Sequence, residues 1–160
     1  MNILVLCTGN SARSILLETL LNDLSGGRVT AFSAGSHPTG AVNPHALTLL
    51  KRHGHDVAAL RSKSWDEFAL PDAPVMAAVI TVCASAAGET CPFWPGAPVT
   101  GHWGVDDPAA VTGSKAKIEA AFEQAYALLR RRAEALLATR FDTMELPALK
   151  QTLDLIGDLA

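Results

Sequence analysis

The chain has 160 residues, 49% of them hydrophobic, and a formal net charge of −3, enough for one domain with a real core and without the basic patch that nucleic-acid binding needs. No charged leader with an apolar stretch and cleavage site opens it, and no apolar run is long enough to span a bilayer, so no signal peptide, no transmembrane segment and no membrane partner are expected. Three cysteines are too few, and odd in number, for a secreted disulfide framework, which points to the reducing cytoplasm.

Residues 2–6 (Asn-Ile-Leu-Val-Leu) are β-prone and nearly all apolar, the pattern of a buried strand in a parallel sheet. The next stretch is Cys7-Thr8-Gly9-Asn10-Ser11-Ala12-Arg13-Ser14. Residues 15–24 then put Leu16, Leu17, Leu20, Leu21 and Leu24 at helical spacing. Residues 29–33 read as a second strand and 34–40 as a loop. Asn43-Pro44 opens a helix with Leu47, Leu49 and Leu50, ended by Gly54. Ser64 caps a short helix with acids in its first turn. Residues 75–82 are an apolar run read as a buried strand, 83–97 a long loop of small residues, and 99–103 a last short strand. Residues 114–137 form the longest helix, with Ile118, Ala121, Phe122, Ala125, Leu128 and Leu129 facing the core, and 146–159 a short extra helix that caps the domain or offers a face for dimerisation. Arg130-Arg131-Arg132 reads as a solvated face. Strands alternating with helices imply a parallel α/β domain, with the 7–14 loop at the carboxyl end of the first strand, where such sheets bind ligands.

That loop is an anion cradle with a sulfur at its floor. Gly9 permits a positive φ and Asn10 tolerates one, so successive N–H groups can curl into a nest at a helix N-terminus. Arg13 adds a planar fork of donors for a tetrahedral oxyanion, and Ser11 and Ser14 add hydroxyls. The same positive field lowers the pKa of Cys7 toward the reactive thiolate. Cys83 ends the third strand, and Cys91 follows in a loop of small residues. With Cys7 they suggest a thiol–disulfide relay: the first sulfur takes the anion, the second resolves it, the third carries the oxidation outward. Packing cysteines, or a zinc site with His102, are the bland alternatives, and zinc lacks its usual paired spacing. His45, His53 and His55 read as surface or capping groups, and Trp65 as packing.

Cys7 to Ser14 resembles the catalytic loop of the low-molecular-weight tyrosine phosphatases and of the arsenate reductases built on the same fold. Thr81-Val-Cys83 with Gly88-Glu-Thr-Cys91-Pro92, and His102-Trp103-Gly104-Val105-Asp106-Asp107-Pro108-Ala109, resemble the thioredoxin-coupled arsenate reductases in particular. The similarity spans roughly residues 1–135. It implies a three-layer α/β/α sandwich around a central four-stranded parallel sheet, with residues 1–140 as the catalytic domain and 141–160 as a helical tail. It implies reduction of arsenate to arsenite, phosphate and sulfate being analogues, with no cofactor and no metal. Cys7, Arg13, Cys83, Cys91 and Asp107 are the implied catalytic residues, and thioredoxin, or glutaredoxin with glutathione, the implied reductant.

Asp107 is the implied general acid; by itself Asp-Pro is also a common turn, and Asp106 is the alternative if the register is off by one. Relatives that are phosphatases carry a cysteine where this chain has Ala12, and aromatic residues after Asp-Pro where it has Ala109-Ala110-Val111. The ring-binding wall is therefore missing. A phosphatase, or an oxyanion-binding redox sensor without turnover, are the rival functions. The interval between Cys83 and Cys91 is one residue longer than in some thioredoxin-coupled members. Some relatives bind potassium near the loop, and Asn10, Glu18 and Ser33 match three of those positions, but no ion is predicted.

Overall fold

The computed structural model describes residues 1–88 and 94–160. Four strands, β1 (Asn2–Leu6), β2 (Thr30–Ala34), β3 (Ala78–Thr81) and β4 (Val99–His102), form one parallel sheet in the order β2-β1-β3-β4. The helices are α1 (Arg13–Leu24), α2 (Pro44–Arg52), α3 (Ala84–Gly88), α4 (Lys115–Leu137) and α5 (Leu146–Gly157). No helix among the described residues is long and apolar enough to cross a membrane.

β1 lies at the centre, so both of its faces are covered and its run of apolar residues needs no polar alternation. Ile3 and Val5 pack with α1, α4 and α5 residues, while Leu4 and Leu6 pack with Phe68, Met76 and Val79 on the other face. That second layer is thin: a 3₁₀ turn at Trp65–Phe68, capped by the Ser64 hydroxyl, with Trp65 and Trp94 meeting edge to face. α1 is buried nearly all round, from Ser14 to Leu21, because the sheet lies on one side and α4 on the other.

Asn43 caps α2 through the His45 N–H, and Ser114 caps α4 through the Lys117 N–H. Four sequence readings are corrected. Residues 84–88 are helical rather than loop, since an alanine-rich run propagates a turn once the Cys83 sulfur accepts the Ala86 N–H at 3.4 Å. The third strand is shorter than 75–82, with Val75 exposed outside it. Arg132 is buried rather than solvated, on the same side of α4 as Leu129, Ala133 and Leu136. His55 is also more enclosed than expected, held between Asp23 at Nδ1 and the Tyr126 hydroxyl at Nε2, 2.7 Å away.

Candidate active site

The loop from Cys7 to Ala12 joins β1 to α1. Its carbonyls are pulled outward: Thr8 O accepts from His37 N, Gly9 O from Thr39 N, and Ser11 O from Asn43 N, all at 2.9–3.0 Å. In a planar trans peptide the next N–H points the opposite way, so the Gly9, Asn10 and Ala12 N–H groups turn toward the concave side. Asn10 takes the positive φ, 45°, that this curl demands; Gly9 does not, which corrects the sequence reading. Gly9 is instead kept small by Thr39, whose methyl would lie 3.3 Å from an added Cβ. α1 has neither a capping side chain nor an acid in its first turn, so its N-terminal donors and dipole face the loop's ligand.

The loop is braced from below. Asn10 is fully buried; its Nδ2 donates to Ser14 Oγ at 2.8 Å and Ser33 Oγ at 3.0 Å, and its Oδ1 accepts the Lys63 backbone N–H at 2.9 Å. Ser33 Oγ donates to Glu18 at 2.5 Å and accepts from the Lys63 ammonium at 3.5 Å. Burial pushes the Glu18 carboxyl up and the Lys63 ammonium down, and each charge partly offsets the shift of the other. Asn10, Glu18 and Ser33 thus do come together, with an ammonium among them. A Cβ on Gly35 would lie 2.8 Å from the Cys7 carbonyl and closer still to that of Thr8. Lys63 and Gly35 were both missed in the sequence, because only the fold brings them under the loop.

An open cavity of about 330 Å³ lies in front of the loop, lined by residues 7–9 and 11–13 with Thr39, Cys83 and Asp107. Arg13 Nη1 donates to Val105 O at 2.9 Å, and its Nη2 lies 3.5 Å from Asp107 Oδ2. The other Asp107 oxygen caps the 3₁₀ turn at Pro108–Ala110 through the Ala109 N–H. Asp107, not Asp106, lines this cavity; both border a neighbouring groove against α4.

Cys7 and Cys83 are both buried, and both line this cavity. The Thr8 N–H donates to the Cys83 sulfur, at 3.4 Å. The pair behaves as one titrating unit. Cys83 is pulled down to about 5 by the neighbouring Cys7 thiol, helped by the Ala86 and Thr8 N–H groups against its burial. Cys7 is pushed up by the neighbouring Cys83 sulfur and by burial, although Arg13 and the Gly9 N–H pull the other way. The expected lowering of Cys7 is thereby corrected: it is raised, and the lowered sulfur is Cys83, which accepts the Thr8 and Ala86 N–H groups. Cys91 lies outside the described residues. Among the described residues no His, Cys, Asp and Glu gather as a metal-binding cluster.

The model of the low molecular weight phosphotyrosine protein phosphatase family matches residues 2–146. The chain belongs to that family. Within it, the chain is 36% identical over 126 residues to an arsenate reductase of Halalkalibacterium halodurans, covering 79% of this chain and 82% of the relative. It is 35% identical over 119 residues to an arsenate reductase of Bacillus subtilis, covering 74% and 82%. A crystal structure of arsenate reductase from Archaeoglobus fulgidus superposes with a TM-score of 0.67 at 26% identity, over 86% of this chain and 99% of that one. A low molecular weight phosphotyrosine phosphatase from Vibrio cholerae superposes with a TM-score of 0.69 at 18% identity, over 86% and 95%, a likeness of fold. The four-stranded α/β architecture expected from the sequence is the fold of this family.

Proposed function

We propose that the protein is a cytoplasmic arsenate reductase, in which residues 1–140 form the catalytic unit and 141–160 a tail packed on it. The observation that carries this reading is that Cys7 and Cys83 line the same Arg13-flanked cavity, the Cys83 sulfur accepting the N–H of Thr8, the residue after Cys7, at 3.4 Å. A phosphatase needs one sulfur there; a reductase needs two within disulfide reach. The identity to proteins called arsenate reductases supports the choice of anion.

Arsenate sits in the nest of residues 8–13 with Arg13 on two of its oxygens. Cys7 passes its proton to Cys83 and attacks arsenic, forming a sulfur–arsenic bond as one oxygen leaves. Asp107 gives that oxygen a proton, so it departs as water. Cys83 gives up to water the proton it took from Cys7 and, as thiolate again, attacks the Cys7 sulfur. The sulfur–arsenic bond breaks, its electron pair stays on arsenic, and arsenite leaves behind a Cys7–Cys83 disulfide. Cys91 attacks Cys83, releasing Cys7 as thiolate and leaving a Cys83–Cys91 disulfide. A dithiol protein of thioredoxin or glutaredoxin type reduces that last bond.

The test is arsenate-dependent NADPH oxidation by the pure protein, coupled in parallel to a thioredoxin system and to glutathione with glutaredoxin. Turnover with one system names the donor. No turnover with either, beside brisk hydrolysis of an aryl phosphate, would make the protein a phosphatase.

A further inference from the structure

The family match ends at residue 146, where α5 begins, yet α5 packs on the edge strand that leads into the acid loop. Trp103, fully buried just after β4, donates its indole N–H to Leu153 O at 2.9 Å. Gly157 has no room for a Cβ, which would overlap the His102 carbonyl and lie 3.2 Å from the Trp103 ring. Arg132 on α4 completes the contact. Its Nη1 donates to Gly104 O at 3.0 Å, while Nε and Nη2 donate to Leu159 O at 3.2 and 2.8 Å.

Arg132 is only 5% exposed, and no carboxylate among the described residues lies within ion-pair distance of it. A buried guanidinium is costly to desolvate, and here its donors go to main-chain carbonyls from two separate segments. The residue after Gly104 is Val105, whose carbonyl holds Arg13, and Asp107 follows two residues later.

We propose that Arg132 is a positioning residue: by tying Gly104 to Leu159, just past α5, it sets the acid loop so that Asp107 faces the cavity beside Arg13. This rests on the reading of Asp107 as the general acid. α5 then serves the reaction although it supplies no reacting group, and the tail extends the active site's support beyond the residues the family model matches.

The experiment is a double-mutant cycle on arsenate turnover with the full chain, using Arg132→Met, Asp107→Asn and both together. Methionine keeps the apolar stem and removes the donors. Misplacing the acid by a fraction of an ångström to an ångström lowers turnover by about 10- to 100-fold. Adding Arg132→Met to Asp107→Asn should cost no more than a few-fold further, because the group it positions is already gone. Arg132→Lys, which keeps the charge and reaches one carbonyl, should recover part of the loss. Equal fold-losses in both backgrounds, or wild-type turnover in Arg132→Met, would overturn the proposal. If Arg132→Met does not fold, Arg132→Lys and Gly157→Ala run through the same cycle and decide it by the same criterion. An Asp107→Asn chain as active as the unmodified one would instead remove the general-acid reading, and the proposal with it.

Discussion

Cys7 and Cys83, just past the ends of adjacent strands β1 and β3, line one anion cavity, and the Cys83 sulfur accepts the N–H of Thr8, the residue after Cys7, at 3.4 Å. Parallel pairing puts both carboxyl ends at one edge of the sheet, so neighbouring strands deliver both side chains there. Replacing Cys83 by serine should leave Cys7 able to hold an oxyanion or hydrolyse an aryl phosphate while abolishing arsenite release. Arsenite quantified after a single addition of arsenate checks this. A full equivalent released by the Cys83→Ser chain would show that Cys83 is not the resolving thiol.

The coupled pair sets a pH dependence. Cys83 is held down to about 5, below the ordinary thiol value of 9.0, so between these limits the unfolded chain binds more protons than the folded one. Stability from this group is therefore present above pH 9, declines as pH falls, and is lost below about 5. Under reducing conditions the melting temperature of the unmodified chain should drop more between pH 8 and 5, roughly the span of that titration, than that of Cys83→Ser. Parallel curves for the two proteins would contradict the lowered Cys83 thiol.

Asp107→Asn should reduce turnover by about 10²–10⁴-fold, the usual contribution of a positioned general acid, with little change in KM. The measurement is steady-state arsenate reduction, with aryl phosphate hydrolysis as a second substrate. Asp106→Asn is the control and should stay near wild type, since its side chain does not line the cavity.

Lys63→Met should destabilise the fold by about 1–3 kcal/mol, because buried Ser33 loses a polar partner and half-buried Glu18 a nearby positive charge. The same change should weaken phosphate binding, since Ser33 also anchors Asn10 in the loop. Chemical denaturation and calorimetric titration with inorganic phosphate would measure both. Adding Glu18→Gln should restore part of the stability, as it removes the charge left without its cation.

Gly35→Ala should fold less stably and bind phosphate less tightly, because the added methyl meets the Cys7 and Thr8 carbonyls. A loop displaced by about 1 Å costs up to about 10²-fold in activity. The predicted loss should be larger for Gly35→Ala than for Gly40→Ala, where space is open although φ is positive.

The cradle was legible in the sequence because it is local. A strand end, a short loop with Asn10 and Arg13, and a helix start are adjacent in the chain, and their chemistry follows from backbone geometry and donor type. The caps at Asn43, Ser64 and Ser114 were legible for the same reason, each being a side chain two or three residues from the N–H it accepts. What only the tertiary structure decided are relations between distant segments. Lys63 and Gly35 come under the loop through the long connection from β2 to β3, and Arg132 turns inward because α5 and the acid loop offer it carbonyls on both sides. Charge pattern along a helix cannot reveal that, since a guanidinium is stable in the interior only where the fold brings acceptors to it. The opposite shifts of Cys7 and Cys83 have the same origin: a thiol's acidity is set by what lies within a few ångströms, and strand pairing chooses that neighbour.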